Sequence, residues 1–328
     1  MDKDRWFDQV TRVACWQYDA AFKHRIATRL GPIARRQGLI LQWETTLGTF
    51  HSEAAPFPGI QQQTLAGCIS ELQQVFNQPK QPLDLTQLSP PVSLAVGSVG
   101  MRLATPIPDP GPRPSICRLV SDGQSLSDRS GDFSTVKLKM QGTAVADNSQ
   151  RIHRLIESLH PDAMLRLDCS GDWTKAGLAA LMAVVPNDRI AYIEDPFLAW
   201  SDYAQWHNHF QVPYALDALA SQWDPAIHHS EGLSTLVLKP LILGLSETQA
   251  LATRAQQQGI DVVLSSVYES SVQLNFYMWL AQHWQLNTAQ GLDTAQYWKE
   301  DVIEHPCFES PQRPLLETHQ LQYVGQLL

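Results

Sequence analysis

Five charged residues, each at or near the end of a short apolar run, constrain this chain more than any other feature of its 328 residues. Lys139, Asp168, Glu194, Asp217 and Lys239 close the runs TVKLKM, AMLRLD, IAYIED, PYALD and TLVLKP. The gaps between them are 29, 26, 23 and 22 residues, the length of one strand, one helix and two loops. A βα repeat that sets a charge where each strand stops predicts a parallel barrel with a reactive rim.

The rest of the middle of the chain keeps the same rhythm. Candidate strands are Ile116–Val120, Val136–Met140, Met164–Asp168, Ala191–Glu194, Tyr214–Asp217, Thr235–Lys239, Asp261–Ser265 and Leu286–Gln290, which makes eight. Between them Ile152, Leu155, Ile156 and Leu159 mark one helix face, with Asp147 or Asn148 as its cap. Thr174, Ser201, Ser246 and Ser270 or Ser271 are caps for later helices, and Gly259 stands where one would stop. Strands alternating with helices predict a parallel sheet, and eight of them predict closure.

Residues 1–100 read differently. GLILQWETTLGTFHSEAAP predicts two strands about a turn near Thr46–Gly48, and Leu65, Cys68, Ile69, Leu72 and Val75 give one helical face over Thr64–Phe76. Pro79–Pro91 has the composition of a linker, and Gly97-Ser98-Val99-Gly100 fits a tight turn or a close helix contact better than a phosphate loop. The division expected is an α+β domain at 1–100, a barrel at 110–296 and a C-terminal segment at 297–328 that packs back on the first domain.

Composition narrows the partners. A hydrophobic content of 44% with 17% charged residues fits a folded globule with a large core. The formal net charge of −9 argues against nucleic acid or an anionic membrane as a partner, yet leaves room for an anionic small molecule if a bound cation inverts the local field. Five scattered cysteines, no apolar leader in MDKDRWFDQV and no apolar run near ~18 residues predict a reduced, cytoplasmic chain.

Side chains alternate along a strand, so Arg166 pairs with Asp168, Tyr192 with Glu194, Ala215 with Asp217 and Val237 with Lys239 on the inward face. Three carboxylates from consecutive strands repel one another unless a cation lies among them, and all-oxygen ligation points to Mg²⁺ or Mn²⁺. Lys137 and Lys139 share a face about 6–7 Å apart. Two adjacent ammonium groups favour the neutral amine in one of them, as a general base requires. Each run taken singly also fits a strand with a solvated face, and a lone strand-final acid fits a helix cap. All five in register do not. His207 with His209, and His228 with His229, lack the cysteine or histidine partners of a zinc site, and no Gly-x-Ser-x-Gly elbow is present.

Lys137-Leu138-Lys139, Asp168, the IEDP of Ile193–Pro196, the ALD ending at Asp217 and the LKP around Lys239 together resemble the enolase superfamily, muconate-lactonizing subgroup. SEAAPFPG (Ser52–Gly59), SSVYESSV (Ser265–Val272) and GLDT (Gly291–Thr294) are similar to the capping loop and the last strand ends of its o-succinylbenzoate synthase branch. The resemblance implies a (β/α)₇β modified TIM barrel under an α+β capping domain. It implies Mg²⁺ (or Mn²⁺) on Asp168, Glu194 and Asp217, catalysis by Lys139 and Lys239 with Lys137 in support, and a small carboxylate substrate. It also suggests substrate contacts at Ser265, Ser266 and Gly291. The implied reaction is dehydration of 2-succinyl-6-hydroxy-2,4-cyclohexadiene-1-carboxylate to o-succinylbenzoate in menaquinone or phylloquinone biosynthesis. An N-acylamino acid racemase or dipeptide epimerase needs the same two lysines, and a Schiff-base aldolase is the alternative of another class. Asp168-Cys169-Ser170 stands where the family often has Asp-Ala-Asn, and Ala218 where it often has Glu.

Overall fold

A computed structural model describes residues 3–27, 31–77, 83–105, 113–120, 133–140, 142–228, 231–303 and 321–328. Two sheets carry it. The first is antiparallel, in the order β11-β1-β2-β3, from β1 (Val10–Ile26), β2 (Ile33–Thr45), β3 (Gly48–Ala54) and β11 (Leu321–Gln326). The turn joining β2 to β3 falls at Thr46–Leu47, where the Thr45 hydroxyl donates to Gly48 O and accepts from Leu47 N.

Alternation gives this sheet two apolar faces. Val13, Cys15, Leu39, Leu41 and Trp43 pack against helices α1 (Leu65–Asn77) and α2 (Pro90–Ala104). Tyr18, Ala20, Phe22 and Ile40 point the other way, onto Val272, Tyr297, Trp298, Val302 and Ile303. The described part of the C-terminal segment returns as β11, whose Leu321–Gln326 pairs with Ala14–Tyr18 of β1. Residues 304–320, with Cys307, lie outside the described residues. The other four cysteines are free and buried.

The second sheet has seven parallel strands, each beside its neighbour in sequence. They are β4 (Arg118–Val120), β5 (Thr135–Lys139), β6 (Met164–Asp168), β7 (Ile190–Glu194), β8 (Tyr214–Leu216), β9 (Leu233–Leu238) and β10 (Asp261–Leu264). Helices α3 (Val145–Ser158), α4 (Lys175–Met182), α5 (Pro240–Leu243), α6 (Leu245–Gln257) and α7 (Ser271–His283) follow strands and cover the outside. Thr174 caps α4 by accepting from Gly177 N, and Gly259 adopts the left-handed conformation just after α6. Inside, Tyr192, Ala215, Val237 and Val263 form a small apolar layer. Three of these, Tyr192, Ala215 and Val237, are residues that alternation placed two before a charge on the inward face. No helix among the described residues is long and apolar enough to cross a membrane.

Three expectations need correction. The eighth strand, Leu286–Gln290, is reduced to two isolated bridges, Gln290 to Ile116 and Gly291 to Ser265. Those bridges still join β10 to the start of the barrel. Main-chain bonds are confined to Gln290 and Gly291, which bond to Ser115 and Cys117 on one side and to Leu264 and Ser266 on the other. Side chains add to them: Gln290 Oε1 accepts from Leu264 N, while the Arg166 guanidinium donates to Ala289 O and the Thr288 hydroxyl. Second, the supposed linker gives way at Pro90 to the fifteen-residue α2, whose first-turn proline lacks only an N–H that the helix would leave unpaired. Third, three of the expected caps are misplaced: Asp147 and Asn148 lie inside α3, whose cap is Ala144, Ser201 lies inside a 3₁₀ turn at Trp200–Tyr203, and Ser246 sits within α6, whose cap is Gly244.

Candidate active site

Register brings the charges to one level. Lys139 of β5 pairs with Asp168 of β6, and Asp168 with Glu194 of β7. Asp217 and Lys239 follow the last residues of β8 and β9 directly. One level deeper, Lys137 is paired with Arg166, and Arg166 with Tyr192, whose ring lies 4.9 Å below the guanidinium. A cavity of about 880 Å³, within the range of small-molecule sites, is lined by all of these residues together with Ser265, Ser266 and Gly291. The antiparallel sheet and the loop after it close the cavity with Ala27, Phe57, Gly59 and Ile60. All nine site residues expected from sequence therefore share one chamber.

The ion pairs divide the lysines into different roles. Lys137 Nζ bridges Glu194 Oε1 at 2.6 Å and Asp168 Oδ2 at 3.1 Å. Burial opposes its charge, but Asp168, Glu194 and Asp217 together outweigh that and raise its pKa well above the ordinary lysine value. This is the opposite of the lowering that an ammonium neighbour alone would produce. Lys239 Nζ donates to Asp217, and that carboxylate likewise lifts its pKa against the effect of burial. Lys139 is the exposed member, with 58% of its side chain open against 18% for Lys137 and 28% for Lys239. Its Nζ donates to the Ser170 hydroxyl at 2.9 Å and lies 3.4 Å from Asp168 Oδ2.

The carboxylates differ as sharply. Burial pushes Glu194 up to about 7, with Lys137 pulling it down and Asp168 and Asp217 adding to the rise. Asp168 is buried too, yet Lys137 and Lys139 hold it well below the usual range. The donor set suits a hard divalent cation: three carboxylates on adjacent strand ends, with buried Glu194 Oε2 meeting no hydrogen-bond donor. Among the described residues no three or more acidic, histidine or cysteine side chains are gathered as a ready ligand cluster. At this site the Lys137 and Lys239 ammonium groups stand against the acids instead.

Two side chains of this site were not foreseen. Asp195 adopts a left-handed backbone (φ 43°) and accepts from Asp217 N at 2.9 Å and Ala218 N at 2.7 Å, which fixes the turn that presents Asp217. Its place directly after Glu194 in IEDP was the available signal. Tyr268, also left-handed (φ 60°), walls the cavity and packs edge-on against Phe22 of β1 and against Tyr297. Its place within SSVYESSV was the available signal. Of the expected substrate contacts, Ser265 and Gly291 sit side by side across their bridge, where a Cβ on Gly291 would come 3.1 Å from Ser265 Oγ. The Ser266 hydroxyl is engaged with that of Thr294 at 2.6 Å.

Known proteins share this fold. The family described as enolase C-terminal domain-like matches residues 119–311. An o-succinylbenzoate synthase from Pectobacterium atrosepticum is 26% identical over 324 residues, 96% of this chain and 99% of that one. Among solved structures, the o-succinylbenzoate synthase from Thermosynechococcus elongatus, complexed with Mg in its active site, superposes with a TM-score of 0.66 at 23% identity, covering 94% of this chain and 97% of that one. A dipeptide epimerase from Enterococcus faecalis, complexed with Mg and the dipeptide L-Leu-L-Tyr, gives 0.71 at 16% identity over 97% and 99%. A capped parallel barrel with charged strand ends, matched to that family over more than half its length, makes this chain a member of the enolase superfamily.

Proposed function

We propose that this enzyme is an o-succinylbenzoate synthase, dehydrating 2-succinyl-6-hydroxy-2,4-cyclohexadiene-1-carboxylate. The observation that carries the proposal is the end-to-end match to a synthase of that name, which spans the cap as well as the barrel. In this reading Asp168, Glu194 and Asp217 would hold Mg²⁺, which would supply fixed positive charge beside the substrate carboxylate. Lys139, the open lysine, removes the proton beside that carboxylate and returns it to the departing hydroxyl, so that H⁺ and OH⁻ leave as water. Lys239 stands on the far side and holds the charge that develops in the ring. Lys137, buried between Glu194 and Asp168, keeps the acids apart and their charge balanced. Aromatisation drives the step. Four free, buried cysteines agree with a reducing, cytoplasmic setting.

The second reading, racemisation of an N-acylamino acid or epimerisation of a dipeptide, has its support in two lysines lining one cavity and in the likeness to the epimerase fold. A Schiff-base aldolase using Lys139 or Lys239 fits less well, because Asp217 holds the Lys239 ammonium charged where such a nucleophile must be neutral, and the three carboxylates would have no part in that chemistry. The deciding experiment assays the purified protein with the cyclohexadiene substrate beside N-succinyl amino acids and dipeptides, with and without a chelator. Dehydration that chelator abolishes and Mg²⁺ restores is expected. Turnover of the amino-acid derivatives alone would reverse the assignment, and full activity in chelator would remove the metal.

A further inference from the structure

Ser170 stands in an unusual place for an ordinary turn residue. Its backbone is left-handed (φ 56°), a conformation that a side chain with a Cβ adopts at a cost. The residues around it hold it there: Cys169 N donates to Glu194 O, Gly171 N to Asp195 O at 2.7 Å, and Asp172 N to Cys169 O. The turn is thus tied to the end of β7 on both sides of Ser170, and the strain persists because the surroundings over-determine it.

That conformation directs the hydroxyl into the cavity and between two charged groups. Ser170 Oγ accepts from Lys139 Nζ at 2.9 Å and lies 3.3 Å from Asp168 Oδ1, to which it can donate. Lys139 has the most open side chain of the three lysines, a long flexible stem that solvent does little to fix. Its amine reaches this hydroxyl and, at a longer distance, Asp168 Oδ2. A hydroxyl that donates one way and accepts the other can anchor the amine without adding charge beside the carboxylates.

We propose that Ser170 is the positioning residue for Lys139, holding its Nζ at the rim where the proton is taken. The inference rests on the proton-abstraction role given to Lys139 above. A turn-only role and a positioning role separate cleanly by substitution. Ser170→Gly removes the hydroxyl and relieves the left-handed backbone, while Ser170→Asn keeps a side chain that tolerates that backbone and offers an oxygen acceptor.

The test measures kcat and KM for wild type and both variants on whichever substrate the wild type turns over, together with their thermal midpoints. The expected result is a kcat about 10–100-fold lower in Ser170→Gly, with KM within about threefold and a midpoint no lower than wild type. Ser170→Asn should recover most of the lost kcat. An unchanged kcat in Ser170→Gly overturns the proposal, as does a loss confined to KM, which would make Ser170 a substrate contact. Crystal structures of wild type and Ser170→Gly decide the matter even if no substrate is turned over, a result that would count against the synthase and its rivals alone. Lys139 Nζ should lie within about 3.2 Å of Ser170 Oγ in the first and be displaced or spread over several rotamers in the second. The same amine position in both would overturn it.

Discussion

Lys137 and Lys139 are two residues apart on one strand, and the structure gives them opposite circumstances. Lys137 is buried between Glu194 and Asp168, its charge held by both. Lys139 reaches the open cavity. If Lys139 carries the proton, Lys139→Ala should lower kcat by ~10²–10⁴-fold while the unfolding midpoint stays close to wild type; retained turnover would pass the role to Lys239. Asp195 makes a second residue-scale test. It accepts two backbone N–H groups that shape the turn at Asp217, so Asp195→Ala should weaken Mg²⁺ binding by about 10–100-fold in a calorimetric titration. Unchanged affinity would mean the turn holds its shape without it. The five strand-end charges were legible because a charge closing an inward-facing run has only the barrel mouth to enter. Asp195 and Ser170 were not, because their work depends on left-handed backbone and on main-chain partners that spacing does not encode.

Among the elements, α2 shows how a signal can be seen and still be misplaced. Gly97 and Gly100 read as a tight turn or a close helix contact, and the second is what the structure contains: α2 crosses α5 and α6 at Gly97, while Gly100 lies against the Trp6 ring. A Cβ on Gly97 would meet Leu245 Cδ2 at 2.6 Å and Leu85 Cδ1 at 2.9 Å, both side-chain ends in a packed seam. Gly97→Ala should therefore destabilise the fold by about 1–2 kcal/mol in denaturant titration, overpacking outweighing the gain of about 0.5–1 kcal/mol in helix propensity. A stabilised variant would show that the seam has slack. The helix itself was hidden because Pro90 and Pro91 read as linker. Strand β1 was hidden for another reason. Its seventeen residues bury apolar side chains on both faces, Val13 and Cys15 towards α1 and α2, Tyr18 and Phe22 towards the C-terminal side, so no simple polar alternation survives. The eighth barrel strand failed in the other direction. Its apolar and polar residues suit a strand, but main-chain pairing is confined to Gln290 and Gly291, and the Arg166 and Gln290 side chains tie the rest of the segment to the barrel.

At the scale of the molecule, cap and barrel are joined by a buried acid. Glu53 of β3 accepts from Ser270 N at 3.0 Å, from the Ser270 hydroxyl at 2.6 Å and from the Tyr18 hydroxyl, so one carboxylate ties two strands of the cap to the entrance of α7. Burial raises its pKa to about 7, with the Ser270 and Tyr18 hydrogen bonds opposing and nearby Glu269 adding to the rise. A carboxyl whose pKa is higher folded than unfolded binds its proton more tightly in the folded state. Its contribution is therefore fully present below the ordinary carboxylate value and is lost as pH climbs from there to about 7. His51, also on β3, has its pKa lowered to about 4 by burial and by Arg102, so it acts with the opposite sign in part of the same window. Total stability consequently mixes these with other shifted groups, Glu194 and Asp195 among them. The difference between wild type and Glu53→Gln isolates the acid, since glutamine resembles the protonated form and can still bond to Ser270 and Tyr18. Measured by urea unfolding across this range, the stability of wild type relative to Glu53→Gln should fall by up to about 3 kcal/mol between pH 4.5 and 7 and then level off. A difference that stays flat, or rises with pH, would show that Glu53 is ionised within the folded junction and that the cap is held to the barrel by a charged carboxylate.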